Sequence, residues 1–529
     1  MRVCDEVVGA TALGLVDRGF DTVVRPALNM DLADAGCIGC GQCVSVCPTG
    51  ALTEKMQIAK QVPLLEETRE SICSFCSVGC RAKLKIKGDM LIRNLPSALR
   101  GEDALLCAKG RFGFGEISGK ERLQAPMIMR SNEFETVNME QAVIYTNKSI
   151  QGLQARFGKD CIAVSISERY TNEEVGLIHQ YAKKALQTSN VFSFGRTTSA
   201  MEEVFGTDAS TATIEELAGA DVIMLVGCNL MQNHAVVGMK VRRAVEKGAK
   251  LITIGTKDML LEEIASMNLQ SDEDLSVLKQ ITKAAMNAGI VKNMDNAESL
   301  ASYLSDVSVS NETQAIADTY IKAKKAIIIF EKSTLSVDAV RLLADISLLS
   351  GHSGKPRDGI LQLLPGANSQ GLSDMNVGTG EELKAQIANG RIKGLFIFGE
   401  NVTDLDLSCL SFLAVQDLHM TQTAQAANVI FPGTSFAESA GSFTGADGRV
   451  QAFPKAIQST FASNAEQLCA LAEQAGQKLD ANLINATKVY KPTGGKLAIP
   501  CSNEFRQKAT RSTNELLTSF EERILTMGI

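Results

Sequence analysis

The chain has 529 residues, enough for several domains, and 45% hydrophobic with 21% charged residues is ordinary globular composition. A net charge of −7 without any dense Lys/Arg block argues against a nucleic-acid partner. No run of 18 apolar residues, no cleavable leader and no twin-Arg signal occurs, so the expectation is a cytoplasmic protein without a direct membrane span.

Nine of the 14 cysteines lie at or before Cys107. Clustering at short spacing points to metal rather than to scattered disulfides. Cys4 sits in the opening MRVCDEV, an odd place for a ligand. The stretch CIGCGQCVSVCP then supplies Cys37, Cys40, Cys43 and Cys47, followed by Pro48. This is the bacterial ferredoxin run for a [4Fe–4S] cluster, whereas zinc sites use C-x2-C pairs set farther apart. CSFCSVGC supplies Cys73, Cys76 and Cys80, and Cys107 follows in LLCAKGRFG. Three thiolates on one loop and one from a later segment can close a second cluster; on spacing alone zinc is the alternative. Between them, RAKLKIKGDMLIRNLPS alternates around Lys87-Gly88-Asp89 and predicts a β-hairpin.

From about residue 140 the pattern becomes strand, helix, strand. Buried strands are expected at 161–167, 221–227, 250–255, 326–331, 394–401, 412–417 and 428–433, with helices at 172–186 and 235–248 between them. Apolar strands alternating with helices predict an α/β fold with parallel sheets covered on both faces. LVGCN and IFGEN place Gly227 and Asn229, and Gly399 and Asn401, where parallel strands end. Ligands of open α/β sheets sit there, and two such loops could grip the halves of a dinucleotide-like cofactor. The plainer reading is two ordinary strand-to-helix turns. Isolated Cys161, Cys228, Cys409, Cys469 and Cys501 read as small buried hydrophobes, and His179 and His234 as satisfied polar residues.

The segment from Cys73 to Cys107, with Lys109, Gly110 and Arg111 following, resembles the cluster segment of the molybdopterin oxidoreductase family. It is nearest to formate dehydrogenase catalytic subunits and the large iron–sulfur subunit of complex I. The likeness continues through IEELAGADVIMLVGCNL, GANSQGLSDM, KGLFIFGEN and TAQAANVIFPGTSFAESAGSFTGADGRVQ, covering about 70–457. In such proteins a two-cluster ferredoxin domain precedes this segment, and its first cysteine run ends in RVCDEV. The resemblance therefore makes Cys4 the last cysteine of a first run, joining Cys37, Cys40 and Cys43, because the fourth cysteine of each run serves the other cluster. Cys47 is then ligated through a partner chain, is a spare, or marks a shortened form of a longer protein. In the family the lysine matching Lys109 stands between cluster and pterin; the plain reading is a surface lysine.

The likeness also fails in places. The molybdenum- or tungsten-binding Cys or selenocysteine and its neighbouring His fall on Ser193 and Phe194. After GRVQAFPKAI about seventy residues follow, instead of the β-barrel that covers the pterin. The resulting expectation is a partial ferredoxin-like domain (1–68), a second cluster segment (69–125), two α/β domains (126–350 and 351–457) and a helical tail (458–529). Its function would be electron transfer through two [4Fe–4S] clusters in an NADH-linked complex, without a bound molybdopterin and without substrate chemistry of its own. Partners would be flavin- and iron–sulfur-containing subunits, and ferredoxin. The alternative is a molybdopterin-dependent, formate dehydrogenase-like catalytic subunit.

Overall fold

Two largely parallel sheets make the body of the computed structural model, which describes residues 1–480 except 55–64, 99–103, 120, 198–199, 207, 257, 272–273, 292–294 and 354–356. One sheet has five parallel strands in the order Met267–Leu269, Lys250–Ile254, Val222–Val226, Ala326–Glu331 and Gly359–Leu363. The other has seven, in the order Glu133–Thr136, Met127–Arg130, Val429–Pro432, Phe412–Asp417, Gly394–Phe398, Ile162–Ile166 and Val191–Phe192. Its last five strands are parallel, and the first two form an antiparallel edge that the periodicity did not predict. Central strands are buried at every position because helices cover both faces, which is why they read as unbroken apolar runs.

The sheets interleave in sequence. Strands from 127–192 share a sheet with strands from 394–432, and the other sheet spans 222–363. A division at residue 350, as expected from sequence, therefore cuts through the five-stranded sheet.

Helix starts are written locally. Asn138 with Gln141, Thr171 with Glu174, Thr379 with Glu382 and Ser463 with Glu466 each form a reciprocal capping box. The last of these begins Asn464–Gln474, whose Leu468, Leu471 and Ala472 pack into the core of the seven-stranded sheet. That helix is the described part of the expected tail; residues 481–529 lie outside the described residues.

Ahead of the body, a three-stranded antiparallel sheet joins Glu67–Ile72, Arg81–Lys87 and Met90–Pro96, the last two being the expected hairpin. The N-terminal piece has a π-helical turn at Val3–Val8, a small hairpin of Gly14–Val16 with Val23–Arg25, and a short helix at Gln42–Val46. Among the described residues no helix is long and apolar enough to cross a membrane.

Candidate functional site

The ferredoxin run folds back on itself through glycines. Gly36, Gly39 and Gly41 take left-handed backbone (φ +75°, +66° and +66°), which side chains disfavour and which bends Cys37, Cys40 and Cys43 towards one side. The turn Val3–Val8 buries Cys4 against them. Burial pushes the Cys40 thiol up to about 11, and the like charges of Cys43, Cys37 and Cys4 add to it against the pull of the Gln42 backbone. Cys43 is raised for the same reasons, burial first, with Cys4 and Cys37 as its like-charged neighbours. These four thiols thus stand near enough to act on one another. Cys47 faces elsewhere: the Leu52 amide donates to its sulfur at 3.5 Å and the Thr49 hydroxyl lies 3.5 Å away. Those contacts pull it down to about 7.

The second group forms where two strands meet a helix start. The Cys73 amide donates to the Cys80 carbonyl at 2.9 Å and closes the loop between Glu67–Ile72 and Arg81–Lys87. Cys107 caps the helix Ala108–Phe112, its sulfur accepting from the Gly110 amide at 3.4 Å. A Cβ on Gly110 would stand 3.3 Å from Cys73 Sγ and 3.8 Å from Cys107 Sγ, so the bare backbone lets both sulfurs approach. Burial, with neighbouring thiolates, pushes Cys76 up to about 12 and takes Cys73 and Cys80 above the usual thiol range. The charge of exposed Lys109 works the other way on Cys76. Among the described residues no three His, Cys, Asp or Glu side chains stand close enough to enclose a single metal ion. A [4Fe–4S] cube spreads four thiolates more widely than one zinc ion does, and two sets of four buried or half-buried thiols fit that chemistry.

The strand order reverses at two places, and ligands of open α/β sheets bind at such points. In the seven-stranded sheet the reversal lies between Ile162–Ile166 and Gly394–Phe398. There the buried carboxylate of Glu400 accepts from the Ser193 hydroxyl (3.0 Å) and from the amides of Phe194 (2.9 Å) and Gly195 (3.4 Å). Ser165 donates to its other oxygen. Glu168 stands beside it and accepts from the Ser369 hydroxyl at 2.6 Å. Burial raises both carboxyls to about 7, and Glu400 adds to the rise at Glu168 while Lys332 and Arg169 oppose it. Lys332 is itself paired with buried Asp208 at 3.1 Å.

These raised carboxyls have a pH signature. A folded-state value near 7 against 4.5 unfolded means that the folded chain keeps a proton the unfolded chain releases, so stability falls as pH rises through that window. For Glu400 the loss amounts to ~3 kcal/mol above pH 7, with Glu168 adding in the same direction. The thermal unfolding midpoint is expected to drop between pH 5 and pH 8, and Glu400→Gln to flatten the drop. A midpoint that is level over that range in the unmodified chain would contradict the assignment.

The predicted glycine loops do lie at strand ends. Gly227 (φ +57°) and Gly399 (φ +71°) both take left-handed backbone. A side chain at either glycine would meet groups from within the chain. The Asp274 carboxylate lies against Gly255 and would meet a Cβ on Gly227 at 3.2 Å, and the Tyr170 ring would meet one on Gly399 at 2.7 Å. Asn229 donates to Gln232 (3.0 Å), and Asn401 accepts from the Thr423 amide (3.3 Å) and hydroxyl (3.2 Å). Asn229 braces its own turn, and Asn401 ties its strand end to the start of the helix Gln422–Gln425. A cavity beside Gly399 is lined by Ser74, Phe75, Arg169, Tyr170, Glu174 and Asp417. The carboxyls of Glu174 and Asp417 are raised by burial. His234 bridges Glu331 (3.0 Å) and the Leu364 carbonyl (3.0 Å), as expected of a satisfied histidine, whereas buried His179 Nε2 finds no partner among the described residues. Sequence reasoning missed Glu168 and Glu400, and noted Arg111 within the cluster segment without giving it a role. The available signal for Glu400 was a carboxylate directly after the glycine of IFGEN, where a strand must end.

Comparison with known proteins places this geometry. The family model "Molybdopterin oxidoreductase" matches residues 122–474, and a "4Fe-4S binding domain" model matches 35–53, so the chain carries at least one [4Fe–4S] binding domain. The chain is 27% identical to NADPH-Fe(3+) oxidoreductase subunit alpha of Geobacter sulfurreducens, over 86% of this chain and 61% of that protein. It is 26% identical to formate dehydrogenase H of Escherichia coli, over 73% of this chain and 65% of the relative. The chain thus spans less than two thirds of either relative. Acetylene hydratase from Pelobacter acetylenicus shares the fold, with a TM-score of 0.64 at 16% identity over 77% of this chain and 69% of that one.

Proposed function

The chain belongs to the molybdopterin oxidoreductase family, and from that premise we propose that it is an iron–sulfur electron-transfer subunit of a nicotinamide-linked oxidoreductase complex, with a pterin domain that no longer holds its cofactor. The observation that carries this reading is the Ser193–Glu400 contact. The position where the family's catalytic metal ligand is expected holds a hydroxyl already bonded to a buried carboxylate. A molybdopterin is anionic, and the groups crowding its expected site are Asp274, Glu168 and Glu400. An anionic cofactor there would displace the Ser193–Glu400 bond and face carboxyls that become charged above pH 7, so these residues fit that cofactor poorly.

Cys4, Cys37, Cys40 and Cys43 would hold one [4Fe–4S] cluster, and Cys73, Cys76, Cys80 and Cys107 the other. Each cluster supplies one-electron carriage when bound. The chain's own residues donate the Gly39 and Gly110 amides to sulfur and fix the spacing of the two groups through Gln42 and Arg111. The setting is complex I-like, electron-bifurcating, or an accessory to a formate dehydrogenase or hydrogenase, in the cytoplasm. Flavin- and iron–sulfur-containing subunits, or ferredoxin, would exchange electrons with it. Relatives named as alpha subunits support a multi-subunit setting. Exposed Phe20 and Leu28, between Cys4 and Cys37 in sequence, suit a docking face.

Elemental analysis of anaerobically purified protein tests this. The expected content is about eight iron and eight sulfide per chain, without molybdenum or tungsten. Bound molybdenum or tungsten with pterin would overturn the reading in favour of a formate dehydrogenase-like catalytic subunit.

A further inference from the structure

Arg111 is buried to 2% exposure, yet it makes no ion pair among the described residues. Its Nε donates to the Cys40 carbonyl at 2.9 Å, while its Nη2 is buried and meets no acceptor there. Its side chain lies against Gly41, where a Cβ would be 2.8 Å from Nε. It leaves the chain four residues after Cys107, within the helix that Cys107 caps. The charges that act on it come from the thiols of both groups, Cys40 and Cys43 on one side and Cys107 on the other, and from the Glu54 carboxylate, which forms no ion pair with it. A reciprocal bond runs beside it, from Gln42 Nε2 to the Leu106 carbonyl at 2.9 Å. The two cysteine groups are thus joined by two hydrogen bonds, and a guanidinium stands between them.

A buried cation with an unmet donor and no ion pair is stabilised by a nearby anion. Four thiolates around a [4Fe–4S] core leave net negative charge, and reduction adds more. The free Nη2 points to that anion. We propose that Arg111 is a fixed cation between the two cluster sites that raises the reduction potential of the N-terminal cluster through charge and a hydrogen bond to sulfur. This inference rests on both clusters being present. Hydrogen bonds to cluster sulfurs and nearby charge are the protein's main levers on potential. A guanidinium suits the task better than an ammonium, because its planar fork can hold the Cys40 carbonyl and still donate elsewhere.

The test is a dithionite titration of the purified chain followed by electron paramagnetic resonance, with iron and sulfide counted in each variant. Arg111→Met is expected to make one cluster at least tenfold harder to reduce, a shift of about 59 mV for one electron. The affected signal should be the one missing from Cys4→Ser. Arg111→Lys keeps the charge and should retain most of the potential, and Gln42→Met, which removes the parallel bond but no charge, should leave it in place. Full iron with unchanged potentials in Arg111→Met would overturn the proposal. So would loss of the same cluster from both Arg111→Met and Arg111→Lys, which would make Arg111 a packing element. Loss of that cluster from Arg111→Met alone, with Arg111→Lys keeping the normal potential, would support the charge role. Two clusters with unmoved potentials would sink this inference and leave the electron-transfer reading standing, whereas fewer than two clusters in the unmodified chain overturns both.

Discussion

Replacing Cys4 by serine is expected to remove about half of the bound iron, from about eight to about four per chain, while Cys47→Ser leaves the content unchanged. The two residues look alike in sequence, and Cys47 belongs to the more complete motif. Their surroundings separate them. Cys4 is buried and acts by like charge on Cys40 and Cys43, so its sulfur stands near theirs. Cys47 is turned towards Thr49 and the Leu52 amide. Its lowered value, about 7, comes from those two contacts, and none of the other three cysteines of the run acts on it. A serine at position 4 supplies a hard, protonated oxygen where a soft thiolate is needed, and three thiolates hold a cube poorly. The substitution adds a buried hydroxyl at a cost of ~1–3 kcal/mol, and it falls outside the two sheets, so circular dichroism of the body should be unaffected. Iron and sulfide analysis checks the numbers, and the reduced protein should show one of its two resonance signals. Equal losses from both variants would overturn the preference for Cys4.

What could be read in the sequence was local, and what could not was brought together by folding. The strands were legible because a strand covered on both faces must be apolar throughout, as at Val222–Val226 and Ala326–Glu331. The cysteine spacings were legible because a loop of eleven residues fixes which thiols can converge. Ser193 was picked out by counting along the resemblance, but its partner Glu400 lies 207 residues away. Glu168 and Ser369 are 201 apart, and Arg111 reaches a carbonyl 71 residues back. No periodicity reports such pairs. The division at residue 350 departs from the sheets for a related reason: the chain leaves the seven-stranded sheet, builds the five-stranded one, and returns. Cys409 shows the limit of a default reading. It is exposed and donates to the Asp406 carbonyl at 3.1 Å, whereas isolated cysteines are usually buried.

The chain is expected to neither oxidise formate nor reduce carbon dioxide, and the pair Ser193→Cys with Phe194→His is expected not to restore either reaction. Three physical reasons combine. A soft thiolate is missing at position 193, and the hydroxyl there is bonded to Glu400 at 3.0 Å. An imidazole is missing at position 194, which removes a group able to take or give a proton near neutral pH; such a group is worth about 10²–10⁴ in rate. The double variant would answer both of these, but not the third. Glu400 also takes the amides of Phe194 (2.9 Å) and Gly195 (3.4 Å), and Glu168 stands beside it, so the new thiol and imidazole would face a carboxyl pair already seated on the backbone. Above pH 7 those carboxyls carry charge, which repels formate and opposes formation of a thiolate; below it they are neutral, but the thiol is then protonated. No pH serves every group at once. Formate-dependent reduction of a viologen dye is the measurement, taken against a sample without protein and with the metal content of each preparation known. Dye reduction by the unmodified chain that tracks with bound molybdenum or tungsten would overturn the electron-transfer reading. Activity gained by the double variant alone would place the defect in those two side chains and not in the carboxylates around them.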